Sequence, residues 1–176
     1  MNPGLGRGAV ALALLLAASH VAAAQSGSAA KKPVAADEGI SQLKRDFFAA
    51  LRAGDSHKLL SYVPPGGINV GPAAQHLTRE EVEQQFQLHH GLYCRLFDST
   101  CIDAPIPLDN SARACSYREL LTHSRQVRTA ASAMTRNGVR QAVLVARVHD
   151  APCPNDKLID VIFNLEAGVW KLFSLP

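Results

Sequence analysis

From residue 127 to the end, apolar and polar side chains alternate in runs broken by turn signals, and this pattern constrains the fold more than anything else in the chain. Asn137-Gly138 separates a run over 127–134 from a longer one over 139–149 (VRQAVLVARVH). That dipeptide suits a type I′ hairpin turn, in which both central residues need positive φ. The longer run is apolar enough at its middle to be buried on both faces. Residues 158–165 (LIDVIFNL) set Ile159, Val161, Phe163 and Leu165 against Asp160 and Asn164. Glu166-Ala167-Gly168 then turns the chain into a last strand over 169–175 (VWKLFSL). The spacing predicts an antiparallel meander.

The residues before this sheet read as helices. Ile40, Leu43, Phe47 and Leu51 recur at helical spacing over 39–53, with Phe48 widening the stripe and Gly54 as the stop. Asp55-Ser56 can cap a short helix over 57–62, and the Pro64-Pro65-Gly66-Gly67 run forces a turn before a short strand at 68–70. Thr78 and Glu81 form a capping box, with Leu77 and Val82 placed as a hydrophobic staple; this helix runs through Phe86 to His90 and stops at Gly91. Residues 92–97 (LYCRLF) read as strand or irregular, 102–115 as a loop with two prolines, and 116–124 as one further helix. Helices first and sheet last is an α+β order, with the helices packed on one face of a curved antiparallel sheet.

The N-terminus reads as an address. Arg7 precedes an unbroken apolar run over 9–18 (AVALALLLAA), and Ala22-Ala23-Ala24 offers a small-residue cleavage site before Gln25. Ten apolar residues are too short to span a bilayer core of roughly 30 Å. The expected organisation is a signal peptide over 1–24, a flexible leader over 25–37 and one domain over 38–176, secreted or periplasmic after cleavage behind Ala24. The formal charge is +3, or +2 without Arg7, which gives no footprint for nucleic acid. Four cysteines, Cys94, Cys101, Cys115 and Cys153, suit two disulfides in an oxidising compartment. Three pairings are open. Cys94–Cys101 with Cys115–Cys153 is favoured, because the first closes a short local loop and the second ties a loop to the sheet region. No CxxC pair argues for zinc.

The chain resembles the NTF2-like superfamily, which includes SnoaL-like and ketosteroid-isomerase-like domains. Residues 47–55 (FFAALRAGD) look like the end of that family's long first helix. Residues 77–82 (LTREEV) look like the start of its third, and Gly168-Val169-Trp170-Lys171-Leu172 like its final strands. The resemblance implies a cone with an apolar pocket between sheet and helices, often dimeric through the sheet. The Pro-Pro-Gly-Gly segment and the cysteine-flanked loop depart from the pattern. A small SH3-like β-barrel capped by helices is the other fold these elements allow. Fold alone does not fix function.

Candidate site residues follow. Asp160 is the one acid inside a strongly apolar strand; on a covered face its pKa would rise and it could act as a base, whereas a solvent-facing strand position would be inert. His90, four residues after Phe86, is its candidate catalytic partner; with His89 it could equally be an exposed helix end favoured by the dipole. Tyr62, Phe86, Tyr93 and Trp170 are candidate ligand-binding residues or plain core. No nucleotide motif, G-x-S-x-G elbow or H-E-x-x-H is present, and no cofactor or metal is expected. The leading expectation is an exported, non-enzymatic domain that binds a small apolar molecule or a protein partner, with no membrane span after cleavage. The alternatives are an isomerase- or hydratase-like enzyme using a pocket carboxylate as general base, and a structural dimerisation domain working as a homodimer.

Overall fold

The structure is a computed structural model and describes residues 34–101, 115–151, 153 and 157–176. The expected signal peptide, most of the leader and nearly all of the proline-containing loop lie outside the described residues.

Among the described residues, five helices and six strands follow one another as α1 (Val34–Ala53), α2 (Ser56–Tyr62), β1 (Ile68–Val70), β2 (Gln75–Leu77), α3 (Arg79–Gln87), α4 (Leu92–Phe97), a 3-10 turn (Ser99–Cys101), α5 (Tyr117–His123), β3 (Gln126–Arg136), β4 (Val139–His149), β5 (Lys157–Glu166) and β6 (Val169–Leu175). The strands form one open sheet in the order β2-β1-β6-β5-β4-β3. It is mixed rather than wholly antiparallel, because β1 runs parallel to β6 with Asn69 opposite Ser174. Both ends of the sheet are free edges among the described residues, so the SH3-like barrel does not form.

The C-terminal meander follows from its turns. Asn137 (φ 50°) and Gly138 (φ 77°) take the positive φ values of a type I′ turn, and Ala167 (φ 46°) with Gly168 (φ 81°) makes a second. The first turn sets an unbroken register in which Arg136 faces Val139 and Gln126 faces His149. On β4 and β5 the alternation buries Ala142, Leu144, Ala146, Val148, Ile159, Val161 and Phe163 on one face. Onto that face α1 lays Ile40, Leu43, Phe47 and Leu51. Phe47 and Phe163 meet edge to face at 5.3 Å between ring centres, joining the helix stripe to the sheet. The other sheet face carries Met134, Val139, Leu158, Val169 and Phe173, all exposed.

The capping box of α3 is formed as the sequence predicts. Thr78 Oγ1 accepts from the Glu81 amide at 3.2 Å and Glu81 accepts from the Thr78 amide at 2.7 Å. Leu77 and Val82 beside it are both buried. Ser116 and Glu119 make a second capping box on α5, with Ser116 fully buried.

Three local expectations are corrected. Helix α1 starts at Val34, inside the expected leader. Helix α3 ends at Gln87, and Gly91 (φ 54°) is the N-cap of α4 rather than a stop. Residues 92–97 are helix, not strand, because i, i+4 spacing pairs Leu92 with Leu96 and Tyr93 with Phe97; Leu92, Leu96 and Phe97 are buried and the Tyr93 and Phe97 rings lie 5.1 Å apart.

The disulfides are Cys94–Cys101, spanning α4 and the 3-10 turn, and Cys115–Cys153, tying the start of α5 to the β4–β5 connection. Their Cα atoms lie 5.4 Å and 6.1 Å apart, within the ordinary range. Asp98 positions the first pair by accepting from the Thr100 hydroxyl (2.7 Å) and amide (2.9 Å), and these bonds hold its carboxyl below the usual range. No helix among the described residues is long and apolar enough to cross a membrane.

Candidate functional site

The space between helices and sheet is filled. Phe47, Leu59, Val63, Ile68, Val82, Phe86, Leu92, Leu96, Leu172 and Leu175 enclose a residual cavity of about 10 Å³. A single water needs roughly that much room, so no ligand fits there. The apolar pocket implied by the resemblance is thus closed by the chain's own side chains.

Usable concavity lies outside the core. A groove of about 420 Å³ runs between the β1–β2 turn and the start of α4, lined by Val70, Gly71, Pro72, Ala73, Gln75, Leu77, Gln85, Gly91, Leu92 and Arg95. Its two walls are held by specific bonds. The Gly71 amide donates to the Leu175 carbonyl (3.0 Å) and the Ala74 amide to the Gly71 carbonyl (3.0 Å), fixing the turn on the end of β6. Across the groove, Gln85 Oε1 accepts from the Leu92 amide at 2.7 Å, so an α3 side chain caps α4, whose own N-cap is a glycine. Gly91 permits this: a Cβ there would meet the Gln85 side chain. The Gln85 carboxamide is thereby oriented, with its oxygen engaged and its NH2 remaining as donor.

Arg95 supplies the positive charge of the groove. It is exposed, and its Nη1 donates to the Pro176 main-chain oxygen at 3.3 Å. A guanidinium has five N–H donors in a planar fork, so one such bond leaves most of them for an incoming acceptor. Behind it, the Tyr117 hydroxyl donates to the same Pro176 oxygen at 2.9 Å. Burial pushes the Tyr117 pKa up to about 12; Arg95 pulls against that rise and Asp160 adds to it. Gly71 backs the guanidinium closely, since a Cβ there would lie 3.3 Å from Arg95 Nη1. The result is a groove of mixed polar and apolar lining, with a cation and an oriented amide along one wall.

A second groove of about 440 Å³ between α2 and α3 is lined by Ser56, His57, Leu60, Glu83, Phe86, Gln87 and His89. Two of its ionisable groups are already engaged: Glu83 pairs with Arg79 at 2.9 Å, and His89 stacks on Tyr93 at 4.2 Å between rings.

The residues singled out in the sequence do not converge on one place. Asp160 is exposed on the sheet face that the helices leave open, opposite Val145. His90 is exposed beyond the end of α3 rather than facing inward, and its amide donates to the Gln85 carbonyl. Tyr62 packs edge to face on Phe47 and Phe163, with Lys58 Nζ 5.3 Å above its ring; burial first, and Asp46 second, push its phenol up. Phe86 and Tyr93 share an aromatic cluster with Phe97. Trp170 is half-buried near Gly39, in the second turn of α1. These aromatics are core and its margin. Arg95 and Gln85, which build the groove, were not singled out in the sequence. The signal that could have found Arg95 is its position as the lone charge inside LYCRLF once that segment is read as helix.

Comparison with known proteins finds a distant structural likeness only. No protein-family model and no curated protein sequence matches the chain. Similar solved structures are designed NTF2-like proteins. One, titled Rd1NTF2_05 and carrying five substitutions, aligns with TM-score 0.44 and 13% identity over 80% of this chain and 96% of that one. Another, titled "Rd1NTF2_04 with long sheet", gives 0.40 and 13% over 77% and 96%. A third, "Rd1NTF2_05 with long sheet", gives 0.39 and 16% over 82% and 96%. The α+β class rests on the chain's own elements, helices on one face of an open mixed sheet.

Proposed function

We propose that this chain is an exported, non-enzymatic binding domain, and that its ligand is a small amphipathic anion held in the groove beside the β1–β2 hairpin. The observation that carries the reading is the pairing of an apolar wall (Val70, Leu77, Leu92) with the Arg95 guanidinium and the oriented Gln85 amide. A concave site with a few placed polar groups is the usual form of a small-molecule site, and about 420 Å³ is within the usual range. A carboxylate suits the guanidinium fork, and a short alkyl stem suits the Val70, Pro72 and Ala73 side of the groove. Export rests on the signal-like segment over 1–24 and on two disulfides, which persist in oxidising compartments. The general-base alternative needs an enclosed carboxylate, whereas Asp160 is exposed and lines neither groove.

The test is a pair of calorimetric titrations of the purified chain, one with hexanoate and one with hexanol. The reading predicts saturable hexanoate binding, at least tenfold weaker hexanol binding, and loss of that preference in Arg95→Ala. Equal affinity for both probes, or a preference that survives Arg95→Ala, would overturn it.

A further inference from the structure

The edge of the sheet formed by β3 carries an inference independent of the groove. Strand β3 is 11 residues long, has no proline, and pairs with β4 without a bulge along its whole length. Long edges of this kind are normally blunted by bulges, prolines or inward charges, because they offer unpaired N–H and C=O groups to another strand.

The hairpin turn decides which groups those are. In a two-residue type I′ hairpin the flanking residues, Arg136 and Val139, exchange both hydrogen bonds. Bonded pairs then recur at every second residue, so the even-numbered residues of β3 bond to β4. Val127, Thr129, Ala131, Ala133 and Thr135 therefore aim their amides and carbonyls away from the sheet. Among the described residues nothing else pairs with them. None carries a charge. Arg128 and Arg136 lie at the alternate positions, with side chains on the open sheet face.

We infer that this edge pairs with the same edge of a second copy, antiparallel about a two-fold axis through Ala131. The strand's own numbers select that occupant. Its midpoint is Ala131, an outward-bonding residue, so full-length two-fold pairing sets outward groups against outward groups. Ala131 faces its counterpart, Thr129 faces Ala133, and Val127 faces Thr135. That makes about ten main-chain hydrogen bonds. In the same register Arg128 meets Met134 and Arg136 meets Gln126, so no arginine opposes another and no like-charge penalty arises. Ala130 meets Ser132 at the centre, where small side chains let the strands close. Such an interface is isologous and consumes the β3 edge of both copies, so this pairing closes as a dimer.

The experiment is light scattering and sedimentation velocity on the purified chain at tens of micromolar, with three variants. Ala131→Pro removes an outward N–H without touching the bonds to β4, a position at which an edge strand tolerates proline. Thr129→Lys and Ser132→Cys leave the backbone intact; the first sets a lysine against the small Ala133 of the second copy on each side of the two-fold, the second carries a nitroxide for continuous-wave spectra. The expected results are a dimer for the parent, monomers for Ala131→Pro and Thr129→Lys, and dipolar broadening from the label at position 132. A monomeric parent would overturn the inference. So would a dimer that persists in Thr129→Lys with an unbroadened label, which would mean that the exposed apolar face is used instead. Thr129→Lys decides the matter if Ala131→Pro fails to fold.

Discussion

Single residues in this chain fix local geometry that a wider pattern only sketches. Tyr117 is one. Its hydroxyl holds the Pro176 oxygen, and burial pushes its pKa from 10.0 up to about 12. Because the folded value lies above the unfolded one, the folded state favours the protonated phenol. Its contribution is fully present below pH 10 and is lost as pH rises from there through about 12. Tyr117→Phe removes a hydrogen bond worth about 1 kcal/mol at neutral pH but has nothing to ionise. The stability gap between parent and variant, measured by urea unfolding, is therefore expected to shrink as pH passes 10; a constant gap from pH 8 to 12 would contradict the burial. Arg95 and Gly91 show the limit of reading such residues in isolation. Gly91 looks like a helix stop because glycine usually is one, yet its φ of 54° serves the start of α4, where Gln85 replaces the missing cap.

At the level of elements, legibility followed length and periodicity. The strands over 139–149 and 169–175 were predicted with their observed bounds, since long alternation and a positive-φ turn leave few alternatives. The α3 start was legible from Thr78 and Glu81. Residues 92–97 were not, because six residues hold too little period to separate helix from strand. Strand β2 was missed, because Gln75 and His76 are exposed and its pairing partner β1 is as short as itself. Helix α5 was expected from residues 116–124, yet its capping box went unnoticed. That box predicts a measurable cost. Ser116 is fully buried and bonds both the Glu119 amide (3.2 Å) and its carboxylate (3.3 Å). Ser116→Ala is expected to lose about 1 kcal/mol, the typical cost of a lost cap, because the Glu119 amide gives up the hydroxyl that accepts from it. A change under about 0.5 kcal/mol in a denaturant titration would show the cap to be idle.

For the whole molecule, the α+β order and the site of the sheet were legible, whereas the proposed binding groove was not. Alternation reports which face of a strand is buried, but it does not report whether the covering layer leaves a hole. Here Phe47, Phe86 and Phe163 complete the core, and the concavity moves to the seam between the β1–β2 turn and α4. That seam joins segments some twenty residues apart, none of which carries a periodic signal. The central claim is a solid interior with recognition at this outer seam. Amide chemical-shift mapping of the isotope-labelled chain during hexanoate titration tests it most directly. The claim predicts shifts confined to Gly71, Ala73, Gln75, Gly91, Leu92 and Arg95. Shifts centred on Phe47, Val82 and Phe163, with the groove amides unmoved, would mean that the interior opens to ligand and would contradict it.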